Sequence, residues 1–358
     1  MKNIIFCASL MLLLALIQPK TLIGQSFFEL NSYKRENVDS THILSFYKDL
    51  NIGLLIGQKQ ASISIADVEK ESFLEYTPNT TTSIGLKLTY KWLGFNLGVG
   101  LGQSDATIIK YGKTERLDLQ INTHFRKYVT DIYLQLYNGM YLNNMADFNS
   151  LYNEFDMVHY QRPDIRFLNI GISSRYAWNY DKFSYKAAFD FNEKQLKRAG
   201  SLLIGGYSSI SSIQTDSTLV PHFARGEFGE ESLFTRISSF NLGISIGYIY
   251  TFVIKDDFFI TLEISPGIGI QTINASKEQG TSLIENNGIG LTSTARYSVG
   301  YSKRRFYTAI TGVNSSTSII NENKNTINLQ HGNVLFVLGY RFALKREIPL
   351  GDDFFKHP

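Results

Sequence analysis

The chain is predicted to be all-β, a transmembrane antiparallel up-and-down β-barrel of about twelve strands (range roughly 10–14), with short periplasmic turns and long extracellular loops. Three observations predict it. Apolar and polar residues alternate with a period of two along most of the chain. Tight connections alternate with long polar ones. The N-terminus reads as an export signal.

The signal comes first in the chain. Lys2 precedes an apolar run from Ile4 to Ile17, then Gln18-Pro19 and a short polar stretch to Gly24-Gln25. A basic start, an apolar core of roughly 14 residues and a break before small residues are the parts of a secretory signal. Residues 1–24 are therefore expected to be removed. Cys7, the one cysteine of the chain, lies inside that run. The mature chain then has no disulfide, thiolate metal site or cysteine nucleophile, and no lipoprotein anchor is expected. No other segment approaches about 18 uninterrupted apolar residues, so no spanning helix is expected. The composition has 21 Tyr, 25 Phe and 28 Gly against 7 Pro, with a net charge of +3. That suits aromatic-rich strands and lacks the clustered basic face that nucleic acid requires.

A first strand is expected at about Leu50–Ala66, behind a periplasmic segment over 25–49, because both termini are placed in the periplasm. In Ser83–Gly102, Ile84, Leu86, Leu88, Tyr90 and Trp92 share one parity and Ser83, Gly85, Lys87, Thr89 and Lys91 the other. After Leu93-Gly94 the alternation restarts with Phe95, Leu97, Val99 and Leu101. Successive side chains of a strand point to opposite faces, so this is a hairpin with one face toward lipid and one toward a lumen. As a spanning helix it would carry Lys87 and Lys91 into hydrocarbon at a few kcal/mol each. Tyr90 and Trp92 are assigned to the interfacial aromatic girdle.

The pattern returns at Leu117–Phe125, Ile132–Leu142, Leu168–Tyr176 and Phe183–Phe191. It continues at Leu242–Phe252, Ile260–Ile270, Ile289–Tyr301, Phe306 to about Ile320, and Val334–Phe342. Tight and long connections alternate strictly if Phe183 to about Leu203 is one long strand projecting beyond the membrane. Ser201–Ile213 as a strand of its own would upset that parity. The barrel is thus assigned to 50–344 and a periplasmic tail to 345–358.

Several stretches resemble one family. They are YTPN (Tyr76–Asn79), SIGLKLTYKWLGFNLG (Ser83–Gly98), RPDIRFLNIGISSRYAWN (Arg162–Asn179) and KFSYKAAFDFNEKQLKRAGSLLIGG (Lys182–Gly206), followed by DSTLVP (Asp216–Pro221) and GYIYTFVIKDDFFITLEISPGIGI (Gly247–Ile270). Together they resemble the uncharacterised outer-membrane barrel family known as domain of unknown function 4421. The resemblance covers nearly the whole mature chain in order. It implies an envelope location in Gram-negative bacteria of the Bacteroidota type, and it brings no activity or site residues with it.

Candidate lumen-lining residues are Lys87, Arg116, Asp118, His124, Arg126, Arg175, Lys186, Asp190, Glu263, Arg296 and Arg341. Charges removed from water must be paired, so one expectation is an ion-pair network filling the interior. The arginine excess also permits a selectivity surface for an anionic solute. An enzyme reading takes His124 as base with Ser173 or Ser184 as nucleophile, a pairing that needs hydrogen-bond reach and an orienting group. His42, His159, His222, His331 and His357 are too scattered to read as a metal site. RPDI reads as a structural corner opening a strand. EKQLKRAG (Glu193–Gly200) reads as a solvated protrusion above the membrane, with contact to lipopolysaccharide phosphates through Lys194, Lys197 and Arg198 as the sharper option.

The function expected is that of a non-enzymatic outer-membrane barrel, in small-solute passage or binding or as a structural envelope component. The alternatives are a surface-binding or secretion-partner protein acting through its long loops, and a barrel-embedded lipid hydrolase. Expected partners are outer-membrane lipid and lipopolysaccharide, the barrel-assembly machinery during insertion, and an unspecified small solute. No cofactor, metal or nucleic acid is expected.

Overall fold

The computed structural model describes residues 38–67, 69–90, 93–148, 158–229, 232–277, 284–320, 326–344 and 346. The expected signal, most of the expected tail, and Lys91 and Trp92 lie outside these residues. The unit described runs from Asp39 to Leu344.

The elements in order are β1 (Ile43–Ser45), β2 (Asp49–Asp67), β3 (Ser72–Thr77), β4 (Thr82–Tyr90), β5 (Leu93–Gly100) and a short helix α1 (Asp105–Tyr111). Then come β6 (Glu115–His124), β7 (Tyr128–Leu142), β8 (Gln161–Ala177), β9 (Glu193–Gln195) and β10 (Ala199–Gln214). The chain finishes with β11 (Phe234–Ile254), β12 (Phe258–Lys277), β13 (Ile284–Ser302), β14 (Phe306–Ile320) and β15 (Thr326–Ala343). From β7 onward each wall strand pairs antiparallel with the next, and β15 returns to β2 along its whole length, Asp49 against Ala343 and Ala66 against Thr326. That pairing closes the barrel, which leaves no free edge where the ring is complete.

The ring of ten strands is β2, β3, β7, β8 and β10 to β15. It is completed at the long-loop end by β3, which meets β7 only through Tyr76–Leu142 and Thr77–Tyr141. Lower down, β2 changes partner. Its Ile63–Asp67 pair with β3, whereas Asn51–Gln58 pair with β4. Here β4 and β5 extend from β2 while β6 extends from β7, and no ladder joins β5 to β6 among the described residues. Counting β4, β5 and β6 and leaving out β3, the lower wall has the twelve long strands that the alternation predicts.

One parity of the wall carries an apolar belt. Ile52, Leu54 and Ile56 of β2, Ile244 and Ile246 of β11, Ile264, Ile268 and Ile270 of β12, and Phe336 and Leu338 of β15 are all exposed. A continuous belt of this kind is unstable against water and suits lipid. Trp178, Phe252, Phe258, Phe306, Tyr340 and Phe342 are exposed toward the short-turn end and form its aromatic girdle. Tyr90 does not join them: it is covered by its neighbours, at 2% exposure.

Three further expectations are corrected. The expected strand over Phe183–Leu203 does not form. Residues 178–198 are a connection at the short-turn end, with one π turn at Lys186–Asp190 closed by Phe191 in the left-handed region (φ 61°). Both parities of this segment are buried, Phe183, Tyr185 and Phe191 as well as Ser184, Asn192 and Glu193, so it cannot be a wall strand with one wet face. The wall strand is β10, and the count stays at twelve because it replaces the expected one. Second, EKQLKRAG lies at this same end. Its Glu193 and Gln195 are buried, and β9 pairs with β1, so it is not a solvated protrusion beyond the long loops. Third, the single parity expected over Ile132–Leu142 breaks at Gly139 (φ 85°), where the β7–β8 register shifts. A Cβ there would stand 2.3 Å from the Lys113 carbonyl oxygen. The bulge turns Met140 and Leu142 inward.

Candidate functional site: the lumen

Three layers fill the barrel interior. At the long-loop end the inward parity turns apolar. Ile63 and Ile65 of β2, Leu74 and Tyr76 of β3, Ile165 and Phe167 of β8, Ile273 of β12 and Leu329 of β15 form one buried cluster. The connection after β10 folds into it, with Leu219, Val220 and Ala224 fully buried and Phe228 nearly so. Burying side chains of this size contributes about 1.5–3 kcal/mol each, enough to hold a loop in the barrel mouth.

The middle layer is polar. Gln135 accepts from Asn169 at 2.9 Å, Ser211 donates to Asn169 at 2.9 Å, and Gln271 donates to Asn241 at 2.6 Å. Asp118 accepts from Lys59 (3.0 Å), Gln120 (3.1 Å), Gln135 (3.2 Å) and Tyr137 (2.6 Å). A cavity of about 60 Å³, lined by Asp131, Tyr133, Arg296 and His331 among others, remains here. That holds a few waters. Below it, Arg175 bridges Asp131 (2.7 Å) and Glu263, while Arg296 contacts Asp131 closely and stands 3.6 Å from Glu263. Two cations and two carboxylates thus neutralise one another out of water. The Tyr185 hydroxyl and Ser265 complete Glu263 at 2.6 and 2.9 Å.

The lowest layer is the segment after β8, which plugs the base. Lys87 donates to the Phe189 carbonyl at 3.1 Å and stands 3.9 Å from Asp190. His124 Nδ1 faces Asp190 at 2.9 Å, Arg126 pairs with Glu193 at 2.5 Å, and Ser298 donates to the Ala188 carbonyl at 2.7 Å. Arg341 is fully buried. It donates to the carbonyls of Phe191 (2.6 Å) and Lys303 (2.5 Å) and to Ser302 (3.0 Å), and lies over the rings of Phe46 and Tyr307. Outside the wall, Asp39 donates its backbone N–H to the Asp181 carbonyl. Its carboxylate is held down to about 2, chiefly by the Thr41 hydroxyl hydrogen bond.

Of the candidate residues, Arg175, Glu263 and Arg296 come together in the middle cluster. Lys87, His124, Arg126 and Arg341 clasp the plug, whose π turn runs from Lys186 to Asp190, with Asp190 receiving His124 and Lys87. Arg116 stands apart on β6, reaching across to Thr81 Oγ1 at 3.3 Å where the wall is unladdered. Asp131 is central to the cluster and was not among the candidates. Its signal is its place on the polar parity of β7, opposite Ile132 and Leu134. The proposed catalytic pairing does not assemble. His124 contacts Asp190, Tyr185 and Phe189, whereas Ser173 lies 3.4 Å from Asp131, Ser184 donates to Glu193, and neither serine bonds to His124. The arginines expected to offer an anion surface are spent on carboxylates and carbonyls.

The sequence profile of the family described as Domain of unknown function (DUF4421) matches residues 37–342. The chain belongs to this family. No curated protein matches it. Among solved structures, the DUF4421 chain is similar to the outer membrane protease OmpT of Escherichia coli, at 9% identity over 83% of this chain and 97% of that one, with a TM-score of 0.35. It is also similar to the Pseudomonas putida toluene transporter TodX (7%, covering 83% and 90%, TM-score 0.21) and to Ail, the attachment invasion locus protein of Yersinia pestis (10%, covering 82% and 98%, TM-score 0.19). Likenesses at this level carry nothing about function.

Three of the stretches singled out in the sequence, YTPN, RPDI and DSTLVP, meet in space at the barrel mouth. The Tyr76 hydroxyl of YTPN donates to the Leu219 carbonyl of DSTLVP at 2.5 Å. Arg162 of RPDI holds Asp164 with two bonds of 2.8 Å and donates to the Thr218 carbonyl at 2.9 Å. The Asp216 N–H closes the circle on Asp164 at 3.1 Å. Asn79 bonds Thr114 Oγ1 and the carbonyls of Thr107 and Gly112, tying α1 to the wall. RPDI is the structural corner expected of it, opening β8.

Proposed function

We propose that this protein is a sealed, non-enzymatic barrel of the Gram-negative outer membrane that acts through its surfaces, as a binding or structural component of the envelope. In this reading the short turns face the periplasm and the long loops the exterior, which is the usual asymmetry of such barrels. The observation that supports it is that the lumen is filled at both ends, by the Thr218–Phe228 connection packed in the mouth and by residues 183–195 at the base. Between them remains a cavity of about 60 Å³, too small for a solute larger than a few waters. The charged residues that could have lined a pore hold the plug or neutralise one another. Reconstitution of the folded protein in planar bilayers tests the reading: silence is expected, and reproducible conductance steps from the intact chain would overturn it.

A further inference from the structure

We infer that the outer face of the barrel carries a binding site for a short neutral glycan, where β2 changes partner. This rests on the reading that the surface, not the lumen, meets the ligand. Between Gln58 and Ile63, β2 has no partner on the β3–β4 side. A cavity of about 510 Å³ opens outward at this break, floored by the inward-parity Ala61 and His331, and lies within the roughly 300–1,000 Å³ of small-ligand sites.

Its position follows from parity. Gln58 and Gln60 continue the outward parity of Leu54 and Ile56, and Gln330 and Asn314 continue those of Phe336 and Ile310, so they sit just beyond the lipid-facing belt on the long-loop side. Gln60 and Asn314 lie in one row across three strands, both opposite Gly332, which has no side chain to fill the space between them. A Cβ at Gly332 would stand 2.2 Å from the Val313 carbonyl oxygen. The next row is Ser62, Gln330 and Ser316. The amides of Gln60, Asn314 and Gln330 make no hydrogen bond to any described residue, so their donors and acceptors remain available.

Facing these amides is an aromatic wall. Tyr111 of α1, Tyr141 of β7 and His159 pack together in tilted and edge-to-face contacts with ring centroids 4.8–4.9 Å apart, and both tyrosines line the cavity. No lysine or arginine is among the described residues lining it, and its one carboxylate, Glu75, already accepts from Asn143 at 2.8 Å. Phosphate recognition would call for cations in a charge-assisted geometry. Side-chain amides, each both donor and acceptor, match vicinal hydroxyls, and an aromatic face covers the apolar C–H face of a pyranose. That pairing selects an uncharged polyol ring. A free oligosaccharide and the neutral sugars of a membrane glycolipid share this chemistry.

The test uses the folded full chain in a detergent without a sugar headgroup. It is titrated with a panel of neutral di- and trisaccharides, then presented with vesicles containing a neutral glycolipid or phosphatidylglycerol alone. Saturable binding of a free saccharide, of the glycolipid vesicles, or of both is expected, and the arm that binds identifies the source. Tyr111→Ala and the pair Gln60→Ala/Gln330→Ala should each weaken it by roughly tenfold. Both variants should still show the heat-modifiable electrophoretic mobility of a folded barrel. Failure of every neutral glycan against folded protein, binding to anionic vesicles alone, or binding indifferent to both variants would overturn the site. Conductance by the intact chain would overturn the sealed-lumen reading and leave this external site standing, so the two failures are distinct.

Discussion

Arg175 shows what a buried charge does in this barrel. Its guanidinium is 2% exposed and serves Asp131 and Glu263 at once. Removing one partner of a buried pair strands the others without water, at a cost of about 3–5 kcal/mol. Arg175→Met is therefore expected to lower unfolding stability in detergent by that amount. Arg175→Met/Glu263→Gln should cost less than the sum of the single changes, because the second removes a charge that the first stranded. Equal stability of Arg175→Met and the parent in urea titration would show the cluster to be solvated. At the mouth, Arg162→Lys keeps the charge but cannot reproduce the planar fork on Asp164 while reaching the Thr218 carbonyl. The Thr218–Phe228 connection is then expected to become cleavable by protease in folded protein, and its persistence uncut would refute that role. Much of this chemistry was legible in sequence as charges on the inner parity of strands. The pairing of particular charges was not, since partners such as Arg175 and Glu263 lie 88 positions apart and meet only through the barrel.

At the scale of elements, alternation located the wall and failed where the same alternation serves another purpose. Phe183, Tyr185, Ala187, Phe189 and Phe191 alternate as lipid-facing residues would, yet they pack against the inside of the barrel, where both faces of a segment are covered. A period of two records which side chains are apolar and is silent on what buries them. In β2 the apolar parity changes from Ile52–Leu54–Ile56 to Ala61–Ile63–Ile65 with no bulge in its pairing with β15. That change marks the level at which the lumen becomes an apolar core, a signal available in the sequence. The partner switch of β2 and the missing ladder between β5 and β6 have no such signal, because each strand taken alone is regular. These edges have a measurable consequence. In detergent, the outward-edge amides of β5 and β6 are expected to exchange hydrogen at least roughly tenfold faster than those of β12, which pairs on both sides. Exchange as slow as that of β12 would mean that β5 and β6 join in solution.

For the whole molecule, two seals lie in series along one lumen and are built by different physics. The mouth is closed by apolar burial around Leu219, Val220 and Ala224. The base is held by polar clasps on the plug's own backbone, from Lys87, Ser298 and Arg341, reinforced by β1 pairing with β9. A path through two closures in series conducts only when both are open. Replacing 184–194 by a flexible linker of equal length should therefore leave the bilayer silent, as should replacing 217–228, while the double replacement conducts. The intervening layer is not expected to close the path by itself once the plug is gone, because Tyr185 is withdrawn from Glu263. Each replaced protein must first show the electrophoretic shift of a folded barrel. Conduction by the base replacement alone would mean that the apolar mouth leaks, and the sealing role would then belong to the plug. Silence of the folded double replacement would place the barrier in the charged middle layer of Asp131, Arg175, Glu263 and Arg296. Arg175→Met/Glu263→Gln on that background would then be the change that opens it.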